Sequence, residues 1–379
     1  MKLAYFIKDV TASGGMERVL SNKCAWWIEQ GHEVHVVSLA ATPGKQPFFH
    51  LPDAVHVHDL GLHSIYRKTL GNKLAKARNA DHFVQRAEQW LQQWQPDIAI
   101  AMFDDYTRHL CRTPYPCPKV GELHFAKHKS AQYLYDVEKF ALGRVLTRWY
   151  KHTDYALIKR YDRFVTLTEQ DRQAWGALPN NITIGNAQTF PSDAMASLQS
   201  KRIIALGRNT SQKRFDRLIH AWSRIAARHP DGKLSIFGPG DKKKLAKLAH
   251  KLGIAHQVEL GDAVTDIPSV LMESSVLALS SQYEGFGMVL IEAMTCGVPV
   301  VSTTCRSGPE DIITEGEDGF LVGLNDIEAM AHALHRLLEE PALRRQMGAA
   351  AWHNVQRYSQ ASIMTQWQQL FESLLPRQH

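Results

Sequence analysis

The sequence predicts an α/β protein built from two doubly wound, parallel-sheet domains facing across a cleft. Three observations carry this. Short apolar runs rich in β-branched residues alternate with stretches of helical period. The alternation runs through the first half and then starts afresh. Between the halves lies a loop-like stretch, about Asn186 to Ser200, with Pro191, Ser192 and Asp193 in succession. Strand–helix–strand alternation of this kind buries a parallel sheet between helical layers, and 379 residues are enough for two such cores.

In the first half the expected strands are Leu3–Ile7, Glu33–Leu39, Val55–Leu60, Asp97–Phe103, Lys119–Leu123 and Arg163–Thr168, with a helix over Met16–Gln30. In the second half they are Arg202–Leu206, Lys233–Phe237, Gln257–Leu260, Val276–Leu279, Val298–Ser302 and Gly319–Val322. Helices are expected over Phe215–His229 and Lys242–Leu252, and two more, about Ile327–Glu340 and Ser359–Leu375, close the chain. The expected domains are 1–188 and 189–360.

Composition narrows the function. With 44% apolar and 22% charged residues the chain is an ordinary globular one. Cys24, Cys111, Cys117, Cys296 and Cys305 are an odd number without metal-ligand spacing, which fits a reducing cytoplasm. The apolar run Leu3–Ile7 before Lys8 and Asp9 is too short for a signal peptide, and no run approaches the ~18 apolar residues of a membrane span. A formal charge of +6 points to an anionic partner. The excess is uneven: segment 67–78 carries Arg67, Lys68, Lys73, Lys76 and Arg78 without an acid, interleaved with Leu70 and Leu74. It reads either as a patch for an anionic membrane surface or as a solvated basic helix. No nucleic-acid-binding module accompanies the charge.

Ligands of open α/β sheets bind beyond the strands' carboxyl ends, so the motifs there matter most. Glu284-Gly285-Phe286-Gly287 follows a buried strand and turns into a helix that carries Glu292 and ends at Cys296-Gly297-Val298-Pro299. Such a helix mouth favours a diphosphate, with donors from the backbone of Gly287, Met288 and Val289. The plainer reading makes Glu284 a cap or the partner of a surface cation and Glu292 a solvated helix residue. Gly207-Arg208 with Lys213 follows the first strand of the second half, where both cations can neutralise a leaving diphosphate; the plainer reading is surface charge. Phe237-Gly238-Pro239-Gly240 is a further Gly-rich strand end. Ser13-Gly14-Gly15-Met16-Glu17-Arg18 follows the first strand and lets backbone approach a ligand, without being a dinucleotide fingerprint. Glu122-Leu123-His124-Phe125 follows another first-half strand; His124 is one of nineteen histidines and can equally be a packing residue. His56 and His58 alternate with Val55 and Val57, and a metal there needs a third ligand that is not evident in the sequence. Asp104-Asp105 reads as a loop.

Together these segments resemble the retaining glycosyltransferases of family 4, which have the two-domain GT-B fold. The resemblance rests on Gly207-Arg208 with Lys213, Phe237-Gly238-Pro239-Gly240, Glu284-Gly285-Phe286-Gly287, Glu292-Ala293-Met294, Gly297-Val298-Pro299-Val300 and Gly319-Phe320-Leu321-Val322, in the family's order. Gly14-Gly15 and His124 match more loosely.

The resemblance implies that Glu284 contacts the transferred sugar and Glu292 the nucleotide ribose. Arg208, Lys213 and the amides near Gly287 and Met288 hold the diphosphate, the Gly14-Gly15 loop closes on donor and acceptor, and His124 lies beside the reacting sugar. It implies transfer of a hexose or N-acetylhexosamine from a nucleotide sugar, UDP being the expected nucleotide, with no metal or other cofactor. It also implies that the first domain serves the acceptor and that a last helix, 361–379, returns onto it. Arg306-Ser307-Gly308-Pro309 resembles the variant of bacterial lipopolysaccharide, capsule and exopolysaccharide enzymes, with a lipid-linked or oligosaccharide acceptor and a cytoplasmic, peripherally membrane-bound location. A UDP-sugar 2-epimerase of the same fold and a non-catalytic sugar-nucleotide-binding protein are the alternatives.

Overall fold

The computed structural model describes residues 1–63, 73–125 and 155–376. The chain forms two compact units, Met1–Gly185 with Ile363–His379, and Asn186–Ser362. The sequence expectation placed the division three residues later, at 188/189.

The first unit holds a seven-stranded sheet in the order β3-β2-β1-β4-β5-β6-β7, every pairing parallel. Its strands are β1 (Lys2–Ile7), β2 (Glu33–Ser38), β3 (His56–Asp59), β4 (Ile98–Met102), β5 (Lys119–Glu122), β6 (Arg163–Thr166) and β7 (Asn181–Thr183). The central strands are apolar on both faces, as parallel strands covered by helices must be: Leu3 to Ile7 and Ile98 to Met102 are buried throughout. The order reverses between β1 and β4. The second unit holds a six-stranded parallel sheet, β10-β9-β8-β11-β12-β13, made of β8 (Arg202–Leu206), β9 (Lys233–Phe237), β10 (Val258–Gly261), β11 (Val276–Leu279), β12 (Val300–Thr303) and β13 (Gly319–Val322). Its order reverses between β8 and β11.

Where the elements depart from expectation, the causes are local. The strand expected over Arg163–Thr168 stops at Thr166, because Thr168 leaves the ladder to cap the helix Glu169–Ala174, its side chain accepting from the Asp171 amide at 3.0 Å. The strand expected from Val298 begins at Val300, after Pro299, which has no N–H to give a ladder. The helix expected to His229 ends at Ile225 in a 3₁₀ turn. β7 and the helix Pro341–Asn354 were not expected.

The last helix, Gln360–Leu374, contributes Trp367 and Phe371 to the first unit. Phe371 stacks on Trp27 of the helix Gly15–Glu29, with ring centroids 5.3 Å apart. No helix among the described residues is long and apolar enough to cross a membrane. Residues 67–72, half of segment 67–78, lie outside the described residues, as do residues 126–154.

Candidate functional site

In the second unit, β8 and β11 are neighbours at the point where the strand order reverses. This is where an open α/β sheet leaves a crevice at its carboxyl edge. The turn after β8 carries Arg208 and Lys213, and the segment after β11 carries Glu284. The two are laced together: the Gln282 amide donates to the Gln212 carbonyl at 2.8 Å, Gln212 Nε2 to the Tyr283 carbonyl at 2.8 Å, and Ser280 Oγ to the Lys213 carbonyl at 2.8 Å. Lys213 Nζ then reaches Glu284 Oε1 at 2.8 Å, with the side chains only 15% and 10% exposed. Glu284 is thus paired with a cation, as the plainer reading held, but the pair is largely buried. Arg208 is exposed and has no ion-pair partner among the described residues.

The turn after β9 supports the same crevice. The Gly207 amide donates to the Phe237 carbonyl at 2.9 Å and the Asn209 amide to the Pro239 carbonyl at 2.8 Å. Gly238 has φ +152°, and a Cβ placed there would lie 1.9 Å from the Gly207 carbonyl oxygen. Gly238→Ala should therefore lose about 1–3 kcal/mol or more through forced backbone movement, and a denaturant midpoint unchanged from wild type would contradict this packing.

Gly287 caps the helix Met288–Thr295, whose first backbone bond runs from the Leu290 amide to the Gly287 carbonyl at 2.8 Å. The amides of Met288 and Val289 precede that bond, at the helix's positive end. Glu292 is not the solvated helix residue of the plainer reading: it is 4% exposed and its Oε1 accepts from Thr189 Oγ1 at 2.8 Å. The Arg306-Ser307-Gly308 segment lies beside the Glu284 turn, its Arg306 carbonyl accepting from the Glu284 amide at 3.1 Å.

In the first unit, Gly14 caps the helix Gly15–Glu29, and the Glu17 carboxylate folds beneath the loop, so that a Cβ on Gly14 would lie 2.1 Å from Glu17 Oε2. Burial raises the pKa of Glu17, opposed by backbone hydrogen bonds and by His124. His124, just beyond β5, has a side chain only 6% exposed, and its Nε2 stands 3.1 Å from Glu122 Oε1. The contact is of ion-pair length but poorly aligned, and Nε2 makes no hydrogen bond that meets angular criteria. Glu122 is fully buried and also pairs with Lys23, from the helix Gly15–Glu29. Burial pushes the Glu122 carboxyl up, yet the charges of Lys23 and His124 outweigh it and hold it at about 2. Burial draws the Lys23 ammonium down, against the pull of Glu122. Lys23 was not singled out from the sequence. Its one signal is its place on the buried stripe with Val19, Leu20, Cys24 and Trp27, where a lysine is out of character.

The remaining candidates resolve simply. Parallel pairing sets His35 opposite His56, and His35 binds His58 at 3.0 Å and Glu33 at 2.8 Å. The pair expected from the sequence does not gain a third ligand: the residues whose donor atoms lie within 4.8 Å of one another are Glu33, His35 and His56, with His58 outside that group. This cluster spans β2 and the edge strand β3, not the order reversal. Asp104 is a turn residue, as expected, its Oδ1 accepting from the Tyr106 and Thr107 amides at 2.7 and 2.8 Å.

Residues 13–184 match the family model described as Glycosyltransferase Family 4, and residues 190–353 match Glycosyl transferases group 1. Over 97% of its length the chain is 28% identical to an uncharacterized glycosyltransferase of Haemophilus influenzae, of which it spans 98%. Over 54% of its length it is 32% identical to the amylovoran biosynthesis glycosyltransferase of Erwinia amylovora, of which it spans 61%. Among solved structures, Anabaena HepE in complex with UDP matches with a TM-score of 0.74 and 20% identity, over 99% of this chain and 100% of that one.

Proposed function

The chain belongs to the GT-B glycosyltransferases, with a Family 4 half and a group 1 half, and from this we propose that it is a retaining transferase. The donor is a nucleotide sugar, UDP-linked, carrying a hexose or N-acetylhexosamine. The acceptor is a lipid-linked or oligosaccharide precursor of a bacterial surface glycan. The reading rests above all on the Lys213–Glu284 pair at the order reversal between β8 and β11, with a helix beginning three residues beyond Gly285. The fold neighbour that holds UDP and the relative that acts in amylovoran biosynthesis agree with it.

In this reading Lys213, Arg208 and the amides at Gly287, Met288 and Val289 stabilise the departing diphosphate, the role of preorganised donors where charge develops. Glu284 contacts the sugar and Glu292 the ribose. The Gly14-Gly15 loop and His124 serve the transferred sugar and the acceptor. The bond from the anomeric carbon to the diphosphate breaks as the acceptor oxygen bonds to the same face of that carbon, and the hydroxyl proton passes to a phosphate oxygen. Two cations and a helix terminus supply the charge stabilisation, so no metal is called for.

The experiment is transfer by the purified chain from UDP-sugars to an acceptor panel, with UDP release and product anomer read by NMR. The expected product keeps the donor's anomeric configuration, and EDTA leaves the rate unchanged. An inverted product, or a rate lost to EDTA and restored by Mn²⁺, would contradict the mechanism. A 2-epimer formed from donor alone would replace it with the epimerase alternative.

A further inference from the structure

We infer that Glu122, anchored by Lys23, fixes the ring of His124 and its proton on Nε2, making Glu122 a positioning residue for the first domain's part in transfer. The inference rests on the role proposed above for His124.

The geometry is that of a buried ion pair with a histidine as third member. Lys23, Glu122 and His124 have side chains 5%, 0% and 6% exposed, and both partners approach the same oxygen, Glu122 Oε1. The Lys23 ammonium is closed off on another side by the Trp367 ring, 3.6 Å from its centroid. A lysine by itself neutralises a carboxylate, and a buried ion pair seldom stabilises a fold more than apolar residues of the same volume. Stability alone therefore does not account for the third member. What the carboxylate gives His124 is a choice of tautomer. A carboxylate oxygen 3.1 Å from Nε2 repels a lone pair there and so favours a proton on that nitrogen by its charge, without an aligned hydrogen bond, and a neutral ring then carries its basic lone pair on Nδ1. The ring thus offers Nδ1 to a ligand. Lys23, itself packed against Trp367, holds Glu122 in place, and among the described residues Glu17 is a further charged group that interacts with His124.

The test uses the full-length chain. Imidazole ¹⁵N NMR, recorded at a pH where the ring is neutral, should show His124 with Nε2 protonated and Nδ1 unprotonated, and Glu122→Gln should shift that signature towards a tautomer mixture. A proton on Nδ1 in the wild type, or a spectrum unmoved by Glu122→Gln, overturns the inference. In the transfer assay Glu122→Gln should lower kcat by roughly 10-fold, the loss of one well-placed hydrogen bond to the reacting sugar, and leave the donor KM unchanged. Adding Glu122→Gln to His124→Ala should cost nothing further.

Glu122→Gln strands the Lys23 charge, so Lys23→Met/Glu122→Gln provides a chain in which both are neutral. It should fold and remain as slow as Glu122→Gln. Recovery of wild-type turnover in that double variant would make Glu122 a packing charge only and overturn the inference. The parent reading fails separately: His124→Ala turning over at the wild-type rate removes His124 from the reaction even where the NMR signature is as described, and with it any catalytic consequence of Glu122.

Discussion

Lys213→Ala is expected to lose transfer activity by about 10²- to 10³-fold, the cost of removing one preorganised donor from a developing negative charge. The reason is its position. Its Nζ lies 2.8 Å from Glu284 and its side chain is largely enclosed, so its charge acts where solvent screens it least. The substitution also leaves Glu284 without its cation, which by itself lowers stability. Lys213→Ala/Glu284→Ala separates the two effects: the double variant should recover melting temperature and remain inactive. Lys213→Arg should fold but transfer poorly, because a planar fork does not replace a compact ammonium. The check is steady-state UDP release alongside thermal melting. A soluble Lys213→Ala chain with near wild-type turnover would remove Lys213 from the mechanism.

Lys23→Met carries the largest expected loss of stability. Removing one partner of a buried pair leaves an uncompensated charge and costs about 3–5 kcal/mol, a large part of a typical total of about 5–15 kcal/mol. Glu122 has no water to turn to, being fully buried. The pair also has a pH signature. A carboxyl held at about 2, against an ordinary 4.5, contributes stability that is present above pH 4.5 and lost as pH falls through that window towards pH 2. Urea titrations of the wild type should show this acid limb, and the neutral Lys23→Met/Glu122→Gln chain should show a shallower one. A Lys23→Met chain as stable as wild type at pH 7 would contradict the buried pairing.

These two predictions differ in how far the sequence reveals them. Lys213 follows a buried apolar strand and Gly207, and Glu284 stands between a buried apolar strand and Gly285, signals that lie within a few residues of the side chain itself, and the restart of the alternation placed both in the same domain. Only their direct contact, across 71 residues, needed the structure. Lys23 and Glu122 are separated by 99 residues, and Thr189 and Glu292 by 103. Neither pairing leaves a local pattern, because each depends on which strands and helices become neighbours. The histidine cluster shows the same limit: His35 meets His56 and His58 through the β2–β3 register, which periodicity within one strand does not specify. β7 escaped for a different reason, since Asn181–Thr183 is three residues with no apolar run and is held as a strand by pairing with β6.

In the proposed donor site the second domain binds a nucleoside diphosphate through Lys213 and the helix mouth at Gly287 without a metal. Thermal shift with UDP, GDP and ADP in EDTA, on the wild type and on Lys213→Ala, tests it most directly, because a ligand that binds only the folded state raises its melting temperature. A rise with UDP is expected in the wild type and none in Lys213→Ala. No rise with any of the three, or an equal rise in both chains, would contradict it.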